Sequence, residues 1–348
     1  MWGGYAQSHE WNFGDPQWLK GAAKSCDYTA NETIDGLSIY VSSDKKIAVD
    51  LNKKTVAGVE YKGRIKFGGT GSCSDINKLV RVISFDVEGD CSIYLVFAHG
   101  SSSGDDRQLV VSSLVAGKVS EIQQCNVAAN VATSATVEYK GGATTIYLYS
   151  AKSGINIYDI KVNSTLTTAA SSFSTYAASY PVDYTSLGLE AYAITLDEAN
   201  MKVKYNKIDG VVPANTPVLV KGEASKTYSL TKATTDGTSV ATDLQVSDGT
   251  ITGDGSTIYA FGTKDGVSGF KLVASGVKIP AKKGYLKLSS SATAKDFFAF
   301  GGETTGISNI SANGIDEEET PLFNLAGQRV DKSYKGVVVK NGKKFVNK

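Results

Sequence analysis

The feature that most constrains this chain is a regular alternation of apolar and polar side chains in several short segments. In one segment Ile83, Phe85 and Val87 are separated by single polar residues, and in another Ile146 and Leu148 are separated by one tyrosine. Successive side chains of a β-strand point to opposite faces of its sheet, so a repeat of two residues predicts a strand with one buried face. The pattern therefore favours sheets over helices.

About nine strand-like segments follow one another in the first half of the chain, separated by clusters of Gly, Asp, Ser and Asn. They are Thr33–Val41, Lys45–Asn52, Val59–Phe67, Val80–Glu88, Cys91–Ala98, Gln108–Ser112, Ala135–Tyr139, Thr144–Ser150 and Ile155–Val162. Asn52-Lys53 carries turn residues between two of them and predicts a hairpin. The spacing predicts an antiparallel, jelly-roll-like β-sandwich over residues 8–163.

The rest of the chain also predicts β structure, so the expected fold class is all-β. Residues 164–172 are rich in Thr, Ser and Ala and predict a linker, and residues 173–302 predict a second, mostly-β domain. Residues 303–348 begin as an acidic spacer and end in a short β-hairpin unit with Asn341-Gly342 at its two-residue turn. So small a unit is marginal alone, so we expect it to dock or to be recognised by export machinery.

Composition excludes several classes of protein. The 348 residues are 41% hydrophobic, and 36 Lys plus Arg balance 35 Asp plus Glu, which leaves no basic surplus for nucleic acid. No apolar run reaches the roughly 18 residues of a transmembrane helix. Residues 1–7 resemble the end of a secretory signal whose earlier part is missing, and the alternative is an ordinary frayed terminus. We expect a secreted or cell-surface protein.

All four cysteines, Cys26, Cys73, Cys91 and Cys125, lie in the first 125 residues. None forms a Cys-x-x-Cys pair, and the chain has only two histidines, so the sequence argues against a zinc site. In an exported protein an even number of cysteines permits disulfides. Cys26 and Cys73 lie in loop-like stretches that could meet, whereas Cys91 and Cys125 flank strands and are equally compatible with buried free thiols.

Three groups of motifs resemble known protein families, and together they cover nearly the whole chain. The motifs are WNFGD, TIDGLSIYVSS, KIAVD, VEYKGRIKFGG and GGATTIYLYSAKSGINIYDIKV in the first region, GLEAYAIT, VPANTPVLVKGE, TIYAFGTKDGVSGFKLV and IPAKKGYLKL in the second, and FNLAGQRV with KGVVVKNGKKFVNK at the end. The first region resembles a module of secreted Bacteroidetes proteins that often lies beside pectate lyases. The second resembles a β domain of exported proteins from the same bacteria, and the end resembles their C-terminal sorting-type domain.

The resemblance implies a jelly-roll, carbohydrate-binding-module-like role for the first region, although no lyase domain follows it here. Catalysis has little support in the residues themselves. The chain lacks Gly-x-Ser-x-Gly, His-Glu-x-x-His and a phosphate-binding glycine loop before a helix. Carboxylate pairs such as Asp105-Asp106 fit a solvated loop tip better than a glycosidase centre. We therefore expect a non-enzymatic protein without a catalytic cofactor.

Glycan binding has more support, because sugars need aromatic faces and planar hydrogen-bonding groups. The candidates are a loop tryptophan, cationic groups on strand faces or at a loop end, two tyrosines opposite an apolar strand face, and a turn amide. They are Trp18, Arg64, Lys66, Arg107, Tyr147, Tyr149 and Asn156. For each aromatic residue the alternative is a place in the core, and for the two arginines it is an ordinary surface or structural charge.

A structural calcium ion is an additional hypothesis. Jelly-roll carbohydrate modules often bind one through carboxylates and loop carbonyls. Glu10 lies near the start of the module and Asp159 lies on its last strand, so the two would converge if the terminal strands pair.

These observations predict a non-catalytic exported protein that binds plant or host glycans, with pectic polysaccharide as the first expectation because acidic sugars suit Arg and Lys. One alternative is an adhesin-like or structural interaction protein without a sugar site. The other is an accessory module of a polysaccharide lyase.

Overall fold

The computed structural model describes residues 8–198, 202–289, 296–299, 322–324, 329–330, 335–340 and 343–347. The chain divides into two compact units, Met1–Gly302 and Glu303–Lys348. Regular structure in the described ranges consists of antiparallel strands and two short 3₁₀ helices, which confirms the all-β class. No helix among these residues is long and apolar enough to cross a membrane. The predicted signal segment, residues 1–7, lies outside the described residues.

Eleven strands and one 3₁₀ helix form the N-terminal β-sandwich. Their bounds are β1 (His9–Asn12), β2 (Ser25–Tyr28), β3 (Glu32–Ile34), β4 (Leu37–Tyr40), β5 (Ile47–Val56), β6 (Val59–Lys66), β7 (Val82–His99), β8 (Arg107–Val115), β9 (Lys118–Val127), β10 (Ala132–Ser150) and β11 (Ile155–Thr167), with the helix at Pro16–Leu19.

Two long strands, β7 and β10, take part in both layers of the sandwich. The first half of β7 pairs with β4 and with the second half of β10, and its second half pairs with the first half of β10 and with β11. The change occurs beside Gly89 and Gly142, where the β7–β10 register shifts, as expected where strands switch layers through a bulge. Sheet 1 is thus β3-β4-β7-β10-β8-β9, and sheet 2 is β10-β7-β11-β6-β5-β2 with β1 paired to β11.

One hydrophobic core lies between the two sheets. It takes Ile83 and Phe85 from sheet 1, as the alternating pattern predicted, and Ile93 and Leu95 from sheet 2. Trp11, at 1% exposure, belongs to the same core. Fully burying a large apolar side chain contributes about 1.5–3 kcal/mol, so this shared core is the main source of the sandwich's stability.

Two hairpin turns differ from the sequence prediction. The turn expected at Asn52-Lys53 is wrong, because β5 continues through these residues with a register shift between Leu51 and Lys54. The turn lies instead at Ala57-Gly58, where both residues have positive φ (49° and 83°), as a two-residue hairpin requires. The segment predicted as one strand from Thr33 is a hairpin that turns at Asp35-Gly36, with φ of 51° and 77°.

The part that follows the sandwich contains two further sheets and a 3₁₀ helix at Thr185–Leu187. Its strands are β12 (Phe173–Tyr176), β13 (Glu190–Asp197), β14 (Lys202–Ile208), β15 (Val218–Lys221), β16 (Thr227–Ser229), β17 (Gln245–Val246), β18 (Ile258–Lys264), β19 (Val267–Leu272), β20 (Gly284–Lys287) and β21 (Phe297–Ala299). Sheet 3 has the order β12-β15-β13-β14, and sheet 4 has the order β17-β20-β18-β19-β21. Sheet 3 buries both faces, with Val218 and Val220 in one core and Leu219 in the other.

The chain passes from the sandwich into this second part along a strand. Of the residues predicted as a linker, 164–167 are the end of β11, and 165–167 pair with β16. Leu166 is buried in the core of the second part. The connection is therefore hydrogen-bonded and packed.

In the Glu303–Lys348 unit, the described strands are β22 (Leu322–Asn324), β23 (Arg329–Val330), β24 (Gly336–Lys340) and β25 (Lys343–Asn347), in the order β23-β22-β24-β25. Lys340 pairs with Lys343, so β24 and β25 form the hairpin that the sequence predicted. The turn residues between them lie outside the described residues.

Candidate ligand-binding cleft

The outer face of sheet 1 is covered by the segment that leads into β7. Cys73 and Leu79 pack against Tyr147 and Val82, and Tyr149 lies against the same cluster. Tyr147 is only 6% exposed, and burial raises the pKa of both tyrosines above its ordinary value. Their predicted role as a stacking platform does not fit this arrangement, because the covering segment occupies the face that a ligand would need.

Trp18 is a core residue and not a surface platform. Its side chain is 0% exposed, and its ring lies 5.0 Å from that of Phe13. The hydroxyl of Tyr28 on β2 donates to the Trp18 carbonyl at 2.7 Å. This hydrogen bond joins the 3₁₀ helix to β2. The predicted ligand contact of Trp18 is therefore corrected to a packing role.

The outer face of sheet 2 carries polar side chains from three neighbouring strands. On β6, Arg64 and Lys66 alternate with the buried Ile65 and therefore point away from the core. The register pairs Arg64 with Asp50 on β5 and Lys66 with Asn156 on β11. Three of the predicted binding residues thus come together across β6 and β11.

Asp50 joins the two cationic groups. Arg64 Nε donates to Asp50 Oδ1 at 2.8 Å, and Lys66 Nζ donates to Asp50 Oδ2 at 2.9 Å. Burial alone would raise the pKa of the Asp50 carboxyl, but the hydrogen bonds from Arg64 and Lys66 outweigh it and hold this pKa below its usual value. The same carboxylate raises the pKa of Arg64 against the effect of burial. The Asp50 carboxylate and the Arg64 guanidinium thus stabilise each other's charged form, and the hydrogen bonds orient both cationic side chains.

A cleft of about 280 Å³ lies beside this charged group. Its wall is formed by β5, β6, β11 and the loops after β7 and before β10, and its lining residues are Asn52, Lys53, Lys54, Arg64, Ala98, His99, Gly100, Ser101, Ser102, Asn130, Val131, Asn156 and Tyr158. The Tyr158 hydroxyl donates to Asn52 Oδ1 at 3.3 Å, and Asn156 Nδ2 donates to the His99 carbonyl at 3.5 Å. The cleft therefore presents amides, hydroxyls and cations, while Tyr158 and Asn156, at 1% and 5% exposure, are buried in its wall.

The sequence did not indicate several of these residues. Tyr158 is the extra residue of a bulge in β11, since Ile157 pairs with Phe97 and Asp159 already pairs with Val96. A bulge re-aims a side chain, and nothing in the alternation around residue 158 predicts it. Because the sequence predicted a turn at Asn52-Lys53, it did not indicate that Asn52 lies in the continuing strand β5 and lines the cleft.

Arg107 lies at the edge of the cleft and not inside it. Its guanidinium donates to the carbonyl of Gly154 and packs beside Gly100, which lines the cleft. The nearby Asp105 is paired with Lys152 at 2.7 Å, and the hydrogen bond from that lysine lowers the pKa of the carboxyl. Arg107 therefore joins two loops and supports the cleft wall.

The predicted convergence of Glu10 and Asp159 occurs, because β1 pairs with β11. Asp159 is 0% exposed, and neither of its carboxylate oxygens has a hydrogen-bond partner among the described residues. Burial, reinforced by Glu10, raises the pKa of Asp159 to about 7. The ammonium of Lys161 lies 3.1 Å from Glu10 Oε1 and 3.8 Å from Asp159 Oδ2.

These two carboxylates fit part of a calcium site. They are hard oxygen donors, and the oxygens of Asp159 lack hydrogen-bond partners among the described residues, although the Lys161 ammonium lies 3.8 Å from one of them. No group of three or more His, Cys, Asp or Glu side chains is placed to hold a metal in the described part of the chain. The remaining ligands would therefore be carbonyls, amides or water. The four cysteines are free thiols, so the Cys26–Cys73 bridge that the sequence permits is not formed in this structure.

Neither a scan of protein-family models nor a search of curated proteins gives a match. Among solved structures, the CBM22-1–GH10 part of xylanase 10B from Clostridium thermocellum, complexed with xylohexaose, is 14% identical with a TM-score of 0.26, over 39% of this chain and 28% of that one. A family 35 carbohydrate-binding module from Clostridium thermocellum is 13% identical with a TM-score of 0.23, over 40% and 92%. The CBM22-1 xylan-binding domain of Paenibacillus barcinonensis Xyn10C is 14% identical with a TM-score of 0.27, over 40% and 91%. The chain spans less than a third of the xylanase structure, and similarities of this size carry no inference about its ligand.

Proposed function

We propose that this chain is a non-catalytic glycan-binding protein that holds a polysaccharide in the cleft on the outer face of sheet 2. The observation that carries the proposal is the hydrogen-bonded Arg64–Asp50–Lys66 group beside Asn156 on the outer face of sheet 2. Guanidinium, ammonium, carboxylate and amide groups supply the donors and acceptors that sugar hydroxyls require. The opposite outer face is closed by its covering segment.

The charge of the cleft supports an acidic polysaccharide. Lys53, Lys54 and Arg64 line it, and Lys66 lies next to Arg64. Asp50 supplies the carboxylate between Arg64 and Lys66, so the group keeps a positive surplus. Arg and Lys form charge-assisted hydrogen bonds with carboxylates, which favours uronic acid polymers such as pectic polysaccharide over neutral ones.

The carboxylates near the cleft support a binding role over catalysis. A glycosidase acid must carry a proton near neutral pH, which requires a raised pKa. The pKa of Asp50 is held low by Arg64 and Lys66, and that of Asp105 is lowered by Lys152. Neither group suits proton donation to a leaving sugar.

The proposal also includes a location outside the cell or on its surface and a structural calcium ion in the sandwich. The resemblance of the chain's end to sorting-type domains supports a place on the cell surface or outside the cell. Glu10 and Asp159 would hold a calcium ion that stabilises the pairing of the first and last strands of the sandwich.

Affinity electrophoresis of the full chain in gels that contain polygalacturonate or neutral xylan tests the binding proposal. The wild type should be retarded most by polygalacturonate, and Arg64→Ala should weaken retardation about tenfold, which corresponds to about 1.4 kcal/mol. Asn156→Ala should act in the same direction, while Lys118→Ala, on the exposed edge strand β9, should behave as wild type. Absence of retardation by every polysaccharide would contradict glycan binding and favour a protein-interaction role, and undiminished retardation of Arg64→Ala would place the site elsewhere.

A further inference from the structure

A larger cavity lies between the sandwich and the part that follows it. Its volume is about 580 Å³, within the range of pockets that enclose small molecules. The bends of β7 and β10, the end of β11 and the loop before β20 form its walls. It shares no lining residue with the cleft on sheet 2. We call it the interface cavity.

Polar contacts hold the two sides of the interface cavity together. Ser179 Oγ donates to Glu88 Oε2 at 2.8 Å, and Lys282 Nζ lies 3.2 Å from the same oxygen. Lys140 Nζ donates to Thr165 Oγ1 at 3.2 Å, which joins the bend of β10 to the end of β11. The cavity is therefore preformed, and a ligand would not have to order its walls.

The charges in the cavity are unevenly matched. Glu88 is paired with Lys282, and Asp90 is paired with Lys140 at 3.5 Å and accepts a hydrogen bond from the Gly141 amide. Lys278 and Lys283 also line the cavity, and neither forms an ion pair within the described residues. Both carboxylates are thus paired with other lysines, whereas neither the exposed Lys278 nor the partly buried Lys283 has a carboxylate within ion-pair distance among the described residues.

Lys283 is the more informative of the two lysines. Its Nζ donates to the hydroxyl of Ser174 at 2.9 Å, a neutral partner. Burial lowers the pKa of Lys283, with Lys140 adding to the effect and Asp90 opposing it. Removing an ammonium group from water without a counterion is costly, and an anion in the cavity would offset that cost.

The remaining walls suit the body of a small organic acid. Tyr176, Leu166 and Ile279 supply apolar surface, and each of them is nearly buried. At Gly142 no atom lies within 4 Å of the place a Cβ would take, so the wall leaves open space there. A ligand with a carboxylate and a compact, partly apolar body matches both the charge and the surface.

We propose that the interface cavity is a second ligand site, which binds a small carboxylate ligand of the size of a uronic acid monosaccharide through Lys283 and Lys278. The ligand would touch residues of both the sandwich and the second part, and its binding would stabilise their contact. The site is independent of the polysaccharide cleft because the two have no residue in common.

Thermal unfolding of the full chain with galacturonate, and with galactose as the neutral match, tests this proposal. At about ten times Kd, galacturonate should raise Tm by about 2–4 °C and galactose should not. Lys287→Met, a matched exposed lysine on β20, should keep the rise, whereas Lys283→Met should lose it. A rise that is lost in Arg64→Ala would place the bound galacturonate in the cleft on sheet 2 and overturn the proposal. No rise in the wild type, an equal rise with galactose, or a full rise in Lys283→Met would overturn the proposal.

A second measurement does not depend on the folding of any variant. Lysines of the wild-type chain are acetylated with and without galacturonate, and the modified sites are read by mass spectrometry. Galacturonate should slow acetylation of Lys283 severalfold and leave that of Lys287 unchanged. Equal rates at Lys283 with and without galacturonate would overturn the proposal. Since retardation by polygalacturonate reports on the cleft and acetylation of Lys283 reports on the interface cavity, failure of glycan binding and failure of this inference are distinguishable.

Discussion

Asp50 orients the cationic side chains of Arg64 and Lys66 beside the candidate cleft. Its two oxygens accept hydrogen bonds from Arg64 and Lys66, so both side chains are oriented before any ligand arrives. Orientation in advance reduces the entropy lost on binding. Trp18 and Tyr147, which the sequence predicted as aromatic ligand contacts, are buried and pack in the interior instead.

The low pKa of Asp50 predicts a pH-independent cleft near neutrality. A depressed folded-state pKa gives stability that is present above the unfolded value and lost as pH falls through the folded value. Affinity for polygalacturonate should therefore change less than about twofold between pH 5 and 8 and fall only below about pH 4, where Asp50 and the ligand take up protons. Affinity electrophoresis at several pH values measures this, and a transition near pH 6–7 would contradict it.

The calcium hypothesis predicts a stability effect localised at Asp159. Adding millimolar calcium after chelation should raise Tm, because the ion would compensate a buried carboxylate that lacks hydrogen-bond partners. Asp159→Asn should abolish the rise, and Asp27→Asn, an exposed carboxylate in an ion pair with Lys46, should preserve it. Differential scanning calorimetry measures both effects. An unchanged Tm in the wild type would show that Lys161 alone balances the two carboxylates.

The cysteines should differ sharply in reactivity. Burial raises the pKa of the Cys73 and Cys91 thiols to about 12, which removes the reactive thiolate at neutral pH. Cys125 is also buried, while Cys26 is half-buried. Thiol titration of the native protein should therefore find one accessible group, Cys26, and three more after unfolding. Three fast groups, or a disulfide found by mass spectrometry, would contradict this assignment.

At the scale of elements, close contact between β6 and the residues that follow β1 depends on a glycine. A Cβ at Gly63 would lie 2.4 Å from the Phe13 carbonyl oxygen and 2.8 Å from Gly14 Cα, both backbone atoms. Gly63→Ala should therefore destabilise the chain by at least about 2 kcal/mol in urea unfolding. Gly142→Ala, where no atom lies within 4 Å of the added methyl, should change stability by less than about 1 kcal/mol. Equal effects of the two substitutions would refute this role for Gly63.

The strands were predictable from the sequence because alternation reports which face of a strand is buried. The same rule predicted that Arg64 and Lys66 share one outward face, and the structure places them there. Turns were less predictable: Ala57-Gly58 adopts a turn with positive φ although Asn52-Lys53 has the more typical turn composition.

The rest of the site depends on contacts between distant segments. The cover over Tyr147 comes from residues around Cys73, and no local pattern indicates which outer face such a segment will close. Tyr158 enters the cleft through a bulge, and Asp50 through a strand register. The periodicity of one segment does not show where a bulge occurs or which residue of another strand lies opposite.

At the scale of the whole molecule, the sandwich and the second part should unfold together. β11 extends from one into the other, and Leu166 near its end lies in the second core. Leu166→Ala should cost about 2–4 kcal/mol and shift the unfolding midpoint reported by Trp11 and Trp18, which lie in the sandwich. Val267→Ala, at an exposed position of β19, serves as control. An unchanged tryptophan transition in Leu166→Ala would mean that the two parts unfold separately.

Hydrogen exchange measures directly which outer face of the sandwich a bound glycan protects, and we propose that this is the outer face of sheet 2. Hydrogen exchange of the full chain is measured with and without polygalacturonate oligosaccharides. We expect slower exchange in β6, in β11 around Asn156 and in the loop after His99, and no change in the segment from Cys73 to Leu79. Protection confined to that covering segment and Tyr149 would contradict the assignment of the cleft.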